Sequence, residues 1–325
     1  MSSDEKTCKG MTRRDFFKGA AVAGVVVAGT GALTNSAEAK GQLGGSGWGH
    51  GWEDDGLPLD ELHTYGADLE RLMILRSSPI GIKMLKNRSE IPEGAFKPRA
   101  DKYEHYALCQ AFGITRRQGK TIAMFIEDHW CFETIIGLGL VEPPQSFLDG
   151  FTASFFIEDP IAAKEHAQEA PRLPYKKYMD TGMVFGPLKT ANFVPDLVMI
   201  YCNTGQLRHL ILALGLKHGY LITSTFYGIG SCTRSTVPSL QTGEAYITVP
   251  DPGEYERAMT GEDIMILTLP ARKSKGRNLF EDMMYGLYKR PYTSFAPSMW
   301  PNFPKPGFYN TYFSQWGLDP PVECK

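Results

Sequence analysis

The sequence carries no excess of either charge. Thirty-four Lys and Arg stand against 36 Asp and Glu in 325 residues, which excludes a nucleic-acid binder working through bulk positive charge. Cysteine is scarce: six residues are too few for a small disulfide-stapled scaffold. No Cys-x-x-Cys pair occurs, so there is no local chelate, and any thiolate site must be assembled from distant segments. Long apolar runs are missing too. The run at residues 19–33 is 15 residues long, short of the roughly 20 that a spanning helix needs, and the chain beyond it holds no membrane span. What is present is 42% apolar residues, too many for a disordered chain. The length suits one large domain or two small ones.

Near the N-terminus, Arg13-Arg14 is followed by Phe16-Phe17-Lys18, the mild apolar run, and Ala37-Glu38-Ala39. Pair, run and small-x-small site in this order resemble a twin-arginine (Tat) export signal. The resemblance implies that residues 1–39 are removed. It implies passage through the Tat translocase to a periplasmic or other extracytoplasmic location. It also implies a passenger folded in the cytoplasm, where thiols are reduced. Removing Cys8 leaves Cys109, Cys131, Cys202, Cys232 and Cys324, an odd number that cannot pair completely. Residues 40–59 are a Gly-rich linker with His50 beside Glu53, Asp54 and Asp55. So much glycine cannot hold ligands in a fixed geometry, and a solvated tether is expected.

The remainder alternates helical and extended patterns. Leu62, Leu69, Leu72, Met73 and Leu75 fall at helical steps. Strands are expected at 80–85, 121–126, 147–157, 195–201, 220–227, 244–249 and 263–269. Helices are expected at 102–118, 131–138, 160–169, 205–218, 232–240 and 278–288. The pattern runs twice. In each half a strand opened by proline (Pro79, Pro195) leads to a helix with a cysteine near its start (Cys109, Cys232). A glycine (Gly119, Gly243), an apolar strand and a turn (Cys131, Asp251) follow. Two related halves, about 60–160 and 190–290, predict one compact α/β or α+β domain over 60–290 with a mixed sheet and pseudo-symmetry. Cys109 and Cys232 would then approach across the axis. Residues 291–325, rich in Pro and aromatics, read as a tail lying across the domain or docking a partner protein.

Ser-Pro-Ile-Gly-Ile-Lys (78–83), Leu-Cys-Gln-Ala (108–111), the Cys131 turn with Gly137-Leu-Gly139-Leu140, Pro-Asp-Leu-Val (195–198), Gly-Ser-Cys-Thr (230–233) and Asp-Ile-Met-Ile-Leu (263–267) together resemble the DUF169 family of archaeal-type cysteine-rich proteins of unknown function. The resemblance implies a recurring cysteine set, ligands of a metal or iron–sulfur centre, matched here by Cys109, Cys131 and Cys232. Where the family pattern carries a further cysteine, this chain has Asp251. Three thiolates with Asp251, Cys202 or His129 would complete four ligands for an iron–sulfur cluster, and zinc accepts the same donors. The residues alone equally allow small buried core cysteines and no cofactor.

The leading expectation is an exported metal-centre protein in periplasmic redox chemistry, an oxidoreductase or cluster-assisted lyase if an enzyme, working with a redox partner protein or as a homo-oligomer. A second is a non-catalytic small-molecule-binding protein or an accessory subunit of an exported redox complex. A third is a Cys–His enzyme: His129 and Cys131 lie two apart and share a face if extended, as a nucleophile and its base would. The Gly228–Gly230 turn before Cys232, with Arg234 behind it, is a further anion-binding candidate. Arg116-Arg117 and Lys83 are candidates to assist an anionic substrate. His209, in an otherwise apolar helix, reads as an edge histidine.

Overall fold

The computed structural model describes residues 56–175, 180–293 and 307–318. The expected export signal and cleavage site, most of the Gly-rich linker, Cys8 and Cys324 lie outside the described residues. Contacts divide the chain into two units, residues 43–294 and the two chain ends together. Of the end unit, residues 307–318 are described. They hold a short helix, Tyr309–Gln315, and Tyr312 stacks on Trp316 just after it.

The main unit is built on a six-stranded sheet: β1 (Ile80–Leu85), β2 (Ile122–Met124), β3 (Gly182–Pro187), β4 (Leu197–Asn203), β5 (Tyr246–Thr248) and β6 (Ile264–Pro270). Their spatial order is β2-β3-β1-β4-β6-β5. The expected combination of helices and sheet is present, but the expected mixed pairing is not. All five ladders are antiparallel, and parallel contact is limited to isolated bridges such as Phe96 to Ile122. Ten α-helices accompany the sheet: α1 (Leu59–Met73), α2 (Pro98–Lys102), α3 (Leu108–Gln118), α4 (Phe132–Gly137), α5 (Gln145–Leu148), α6 (Pro160–Glu169), α7 (Thr204–Gly215), α8 (Ser231–Thr242), α9 (Pro252–Glu256) and α10 (Leu279–Lys289).

The strand order is a palindrome of the two halves. β1 and β4 pair at the centre, β3 and β6 flank them, and β2 and β5 form the edges. The element missing from the sequence reading is β3, Gly-Met-Val-Phe-Gly-Pro, buried throughout. Two glycines and a proline disguise it, and it extends the first half to residue 187. Residues 147–157 form α5 and a 3-10 turn rather than a strand. Residues 220–227 are not a strand either. They lie along β5 and satisfy it through side chains: the Ala245 N–H donates to Tyr220 Oη at 2.9 Å and the Ile247 N–H to Ser224 Oγ at 2.8 Å.

Local chemistry explains the boundaries. Asp159 caps α6 from the Ile161 N–H with Pro160 in the first turn, Asn203 and Gln206 form a capping box on α7, and Asn278 caps α10. Gly119 and Gly243 end α3 and α8 in the left-handed region, at φ 74° and 68°. The sheet is covered on both faces, and alternation along β4 divides them. Leu197, Met199 and Tyr201 join the core under α3 and α8. Val198, Ile200 and Cys202 join the core under α1, α7 and α10.

Helices α7 and α10 meet at Gly286, where a Cβ would stand 2.1 Å from the Ala213 carbonyl oxygen. In an open helix Gly→Ala stabilises by about 1 kcal/mol. Here the neighbouring backbone leaves no room, so Gly286→Ala should destabilise the protein by about 1–3 kcal/mol, read as a lower urea midpoint. A raised midpoint would mean that the two helices are not held in this contact.

Candidate functional site

Four helix starts lie together at one place in the main unit. Cys109 and Cys232 are the second residues of α3 and α8. Cys131 and Asp251 are the residues preceding the first turns of α4 and α9. In the palindrome these are two equivalent pairs: each half supplies one residue inside the helix that precedes its edge strand and one before the helix that follows that strand.

Direct contacts join them. The Asp251 carboxylate accepts from two backbone N–H groups, Glu254 of its own helix at 2.9 Å (Oδ1) and Ser231 at the start of α8 at 3.0 Å (Oδ2). This ties the turn that carries Asp251 to the helix that carries Cys232. Cys109 donates to the Gly253 carbonyl at 3.5 Å. A Cβ on Gly253 would lie 3.6 Å from Cys109 Sγ and 3.1 Å from Asp251 Oδ1, so thiol and carboxylate flank one bare stretch of backbone. Cys131 packs on Ala107, Cys109 and Ala258. Thr134, one turn into α4, meets the Cys232 sulfur at 3.8 Å.

Electrostatics follow from this crowding. Burial pushes the Cys109 thiol up to about 12, helped by the negative fields of Glu254, Asp251 and Cys131. The Cys232 thiol is also raised well above its ordinary value, again by burial first and then by Asp251, Cys109, Cys131 and Glu254. Both are neutral thiols in the metal-free protein at neutral pH. A cation among them would reverse this and favour thiolates.

Cys202 is on the other face of the sheet, under α7 and α10, and burial alone lifts it to about 12. The structure does not bring it to the other three. His129 is buried, with no hydrogen-bond partner on either ring nitrogen, and burial lowers its pKa to about 4. It therefore does not hold a thiol as a base in the metal-free protein. His209 binds the Arg290 carbonyl at 2.6 Å through Nε2, an edge role.

A buried network behind the site was missed in the sequence. Glu254 is fully buried; it accepts from Tyr201 Oη at 2.7 Å and from Thr260 Oγ1 at 2.8 Å. Thr260 in turn accepts from Arg116 at 2.7 Å, and the Arg116 guanidinium lies 4.2 Å over the Tyr201 ring. Burial raises the Glu254 pKa against these hydrogen bonds. Three residues after Asp251, Glu254 has the spacing of a capping partner, and only the fold shows its carboxylate turned inward.

The donor types suit a thiophilic metal or an iron–sulfur cluster: three thiols and a carboxylate from four segments. As the side chains stand they are not closed on an ion, and among the described residues no three His, Cys, Asp or Glu groups take a metal-holding arrangement. Cys109 and Cys232 hydrogen-bond to Gly253 and Thr134, and both Asp251 oxygens hold N–H groups.

A cysteine-bearing, two-half α/β domain of this kind has a family. The family described as DUF169, an uncharacterised ArCR family, matches residues 68–276, and the chain belongs to it. It is 22% identical over 223 residues to the uncharacterised protein MJ0308 of Methanocaldococcus jannaschii, covering 67% of this chain and 93% of that protein. No solved structure matches.

Two outcomes follow from the geometry. Asp251→Ala removes the acceptor of two buried N–H groups and should lower stability by about 2–4 kcal/mol, with Asp251→Asn milder, read by denaturant unfolding. In the folded, metal-free protein at pH 8, Cys109 and Cys232 should be alkylated by iodoacetamide at least about tenfold more slowly than after unfolding, because they are buried and neutral. Equal rates would show the thiols to be open and ionised.

Proposed function

We propose that this protein holds a metal or iron–sulfur centre on Cys109, Cys131 and Cys232, and serves redox chemistry after Tat export. Asp251 is the fourth donor in this reading, and His129 the alternative. The observation that carries this reading is positional equivalence. Three thiols and one carboxylate occupy two symmetry-matched pairs of helix starts, and each lies within the electrostatic reach of others. A hydrophobic core has no need of that pattern.

When bound, a cluster would supply a one-electron store, and zinc a Lewis acid. The chain's own residues do the rest. Helix N-termini offer N–H groups and positive dipole ends toward sulfur that ionises on binding. Burial of Cys109 and Cys232 excludes water. The Thr134 hydroxyl is placed to donate to Cys232. Glu254 accepts from the Tyr201 and Thr260 hydroxyls beside the site, and burial raises its pKa. Ligation would require Cys109 to release the Gly253 carbonyl, a side-chain rotation.

Anaerobic purification of the full chain, with iron, zinc and acid-labile sulfide measured, tests the reading. Stoichiometric metal is expected. Cys109→Ser, Cys131→Ser and Cys232→Ser should each weaken retention by at least about tenfold, and Asp251→Cys should preserve or tighten it. Sulfide with iron identifies a cluster, and zinc without sulfide a mononuclear site. A folded chain that remains metal-free after supplementation with either metal would overturn the proposal.

A further inference from the structure

Helices α4 and α8 carry Cys131 and Cys232 at their starts. The same two helices wall a separate pocket that opens to solvent, lined by Glu133, Ile136 and Gly137 of one and by Thr233 and Arg234 of the other. Its sides are apolar, with Ile136, Phe147, Phe156 and Ile229 among the lining residues. Two guanidinium groups line it, those of Arg172 and Arg234. Arg234 stacks over the Tyr227 ring at 4.6 Å and donates to His166 Nε2 at 2.7 Å. His166 is itself stacked on Tyr227, with centroids 3.9 Å apart. These contacts fix the cation without neutralising it. Burial first, and then Arg234, lower the His166 pKa, which keeps the imidazole a neutral acceptor.

Arg172 donates to the Ala167 and Gln168 carbonyls at 2.9 and 3.1 Å, and the remaining charged group of the lining is Glu133. Its field reaches Arg234, but the two make no ion pair among the described residues, and burial raises the Glu133 pKa. Glu133 Oε2 stands beside Gly230, 3.5 Å from where a Cβ would be, with Arg234 Cγ at 3.7 Å from the same point. Gly230 has φ 68°, a conformation that a side chain would strain. The Glu133 carboxyl and the methylene stem of Arg234 thus flank a bare backbone corner of the pocket lining. A partly buried arginine, oriented by an aromatic face and a histidine and lacking a carboxylate partner, is a receptor for an external anion.

We infer that this pocket binds a small organic carboxylate, its anion on Arg234 beside Glu133 and its apolar body against Phe147, Phe156 and Ile136. The inference goes beyond the metal-centre reading and does not depend on it. The pocket is complete in residues that are not thiols, and binding is to be measured on metal-free and metal-loaded protein alike.

The probes are benzoate and hexanoate, compared with benzamide and hexanamide, titrated into the folded full chain by calorimetry. The acids should bind at least about tenfold more tightly than their amides, a difference of 1.4 kcal/mol. Arg234→Gln should abolish that preference, and Arg234→Lys should retain part of it. Amides that bind as well as acids, acids that do not bind at all, or an Arg234→Gln protein with unchanged affinity would each overturn the inference. If Arg234→Gln fails to fold, the acid-over-amide ratio on the unaltered chain decides alone. Loss of metal with carboxylate binding intact would count against the metal centre only.

Discussion

The Asp251 carboxylate holds this site together. Its two oxygens are shared between the starts of two helices, one N–H from each, and every other contact in the cluster hangs from that bridge. It sets α8 against the turn after β5 and so places Cys232. It anchors α9, whose Gly253 carbonyl receives Cys109. It also orients α9 so that Glu254 points into the core toward Tyr201 and Thr260. A charged acceptor serving two otherwise unpaired donors in a buried setting is among the stronger interactions a protein can make. Its position in the second half matches that of Cys131 in the first, and there its two oxygens accept the N–H groups that fasten two helices.

Much of the frame was legible because its signals are local. Asp159-Pro160, Asn203 with Gln206, and Gly119 and Gly243 mark helix ends by mechanisms that need only neighbouring residues. The repeated order of strand, cysteine helix, glycine and strand named Cys109 and Cys232 as partners before any geometry was known. β3 was not legible, since glycine and proline mask a strand that is stable because neighbours cover it. Residues 220–227 carry a strand's composition, yet their hydroxyls serve the edge of β5 in place of a backbone ladder.

The site was legible in its residue types and illegible in its depth. Nothing in Pro-Asp-Pro-Gly-Glu reveals that Glu254 is fully buried while Asp251 faces two helix starts. Nor does the spacing of Cys202 show that β-strand alternation sends it to the opposite face, while its neighbour Tyr201 turns toward the cluster. One residue of register separates these two fates.

The palindromic sheet has a consequence for association. Growing outward from a central antiparallel pair, it ends on two strands of three residues each. Both rims are occupied: the Phe96 backbone exchanges hydrogen bonds with β2 and its neighbour Thr121 at 2.9 Å each way, and hydroxyls of residues 220 and 224 take the N–H groups along β5. Among the described residues these rims are covered against strand addition, the opening through which β-proteins polymerise. What the described residues of this unit present to solvent is therefore mainly helix and loop, the layer that also carries the arginine pocket.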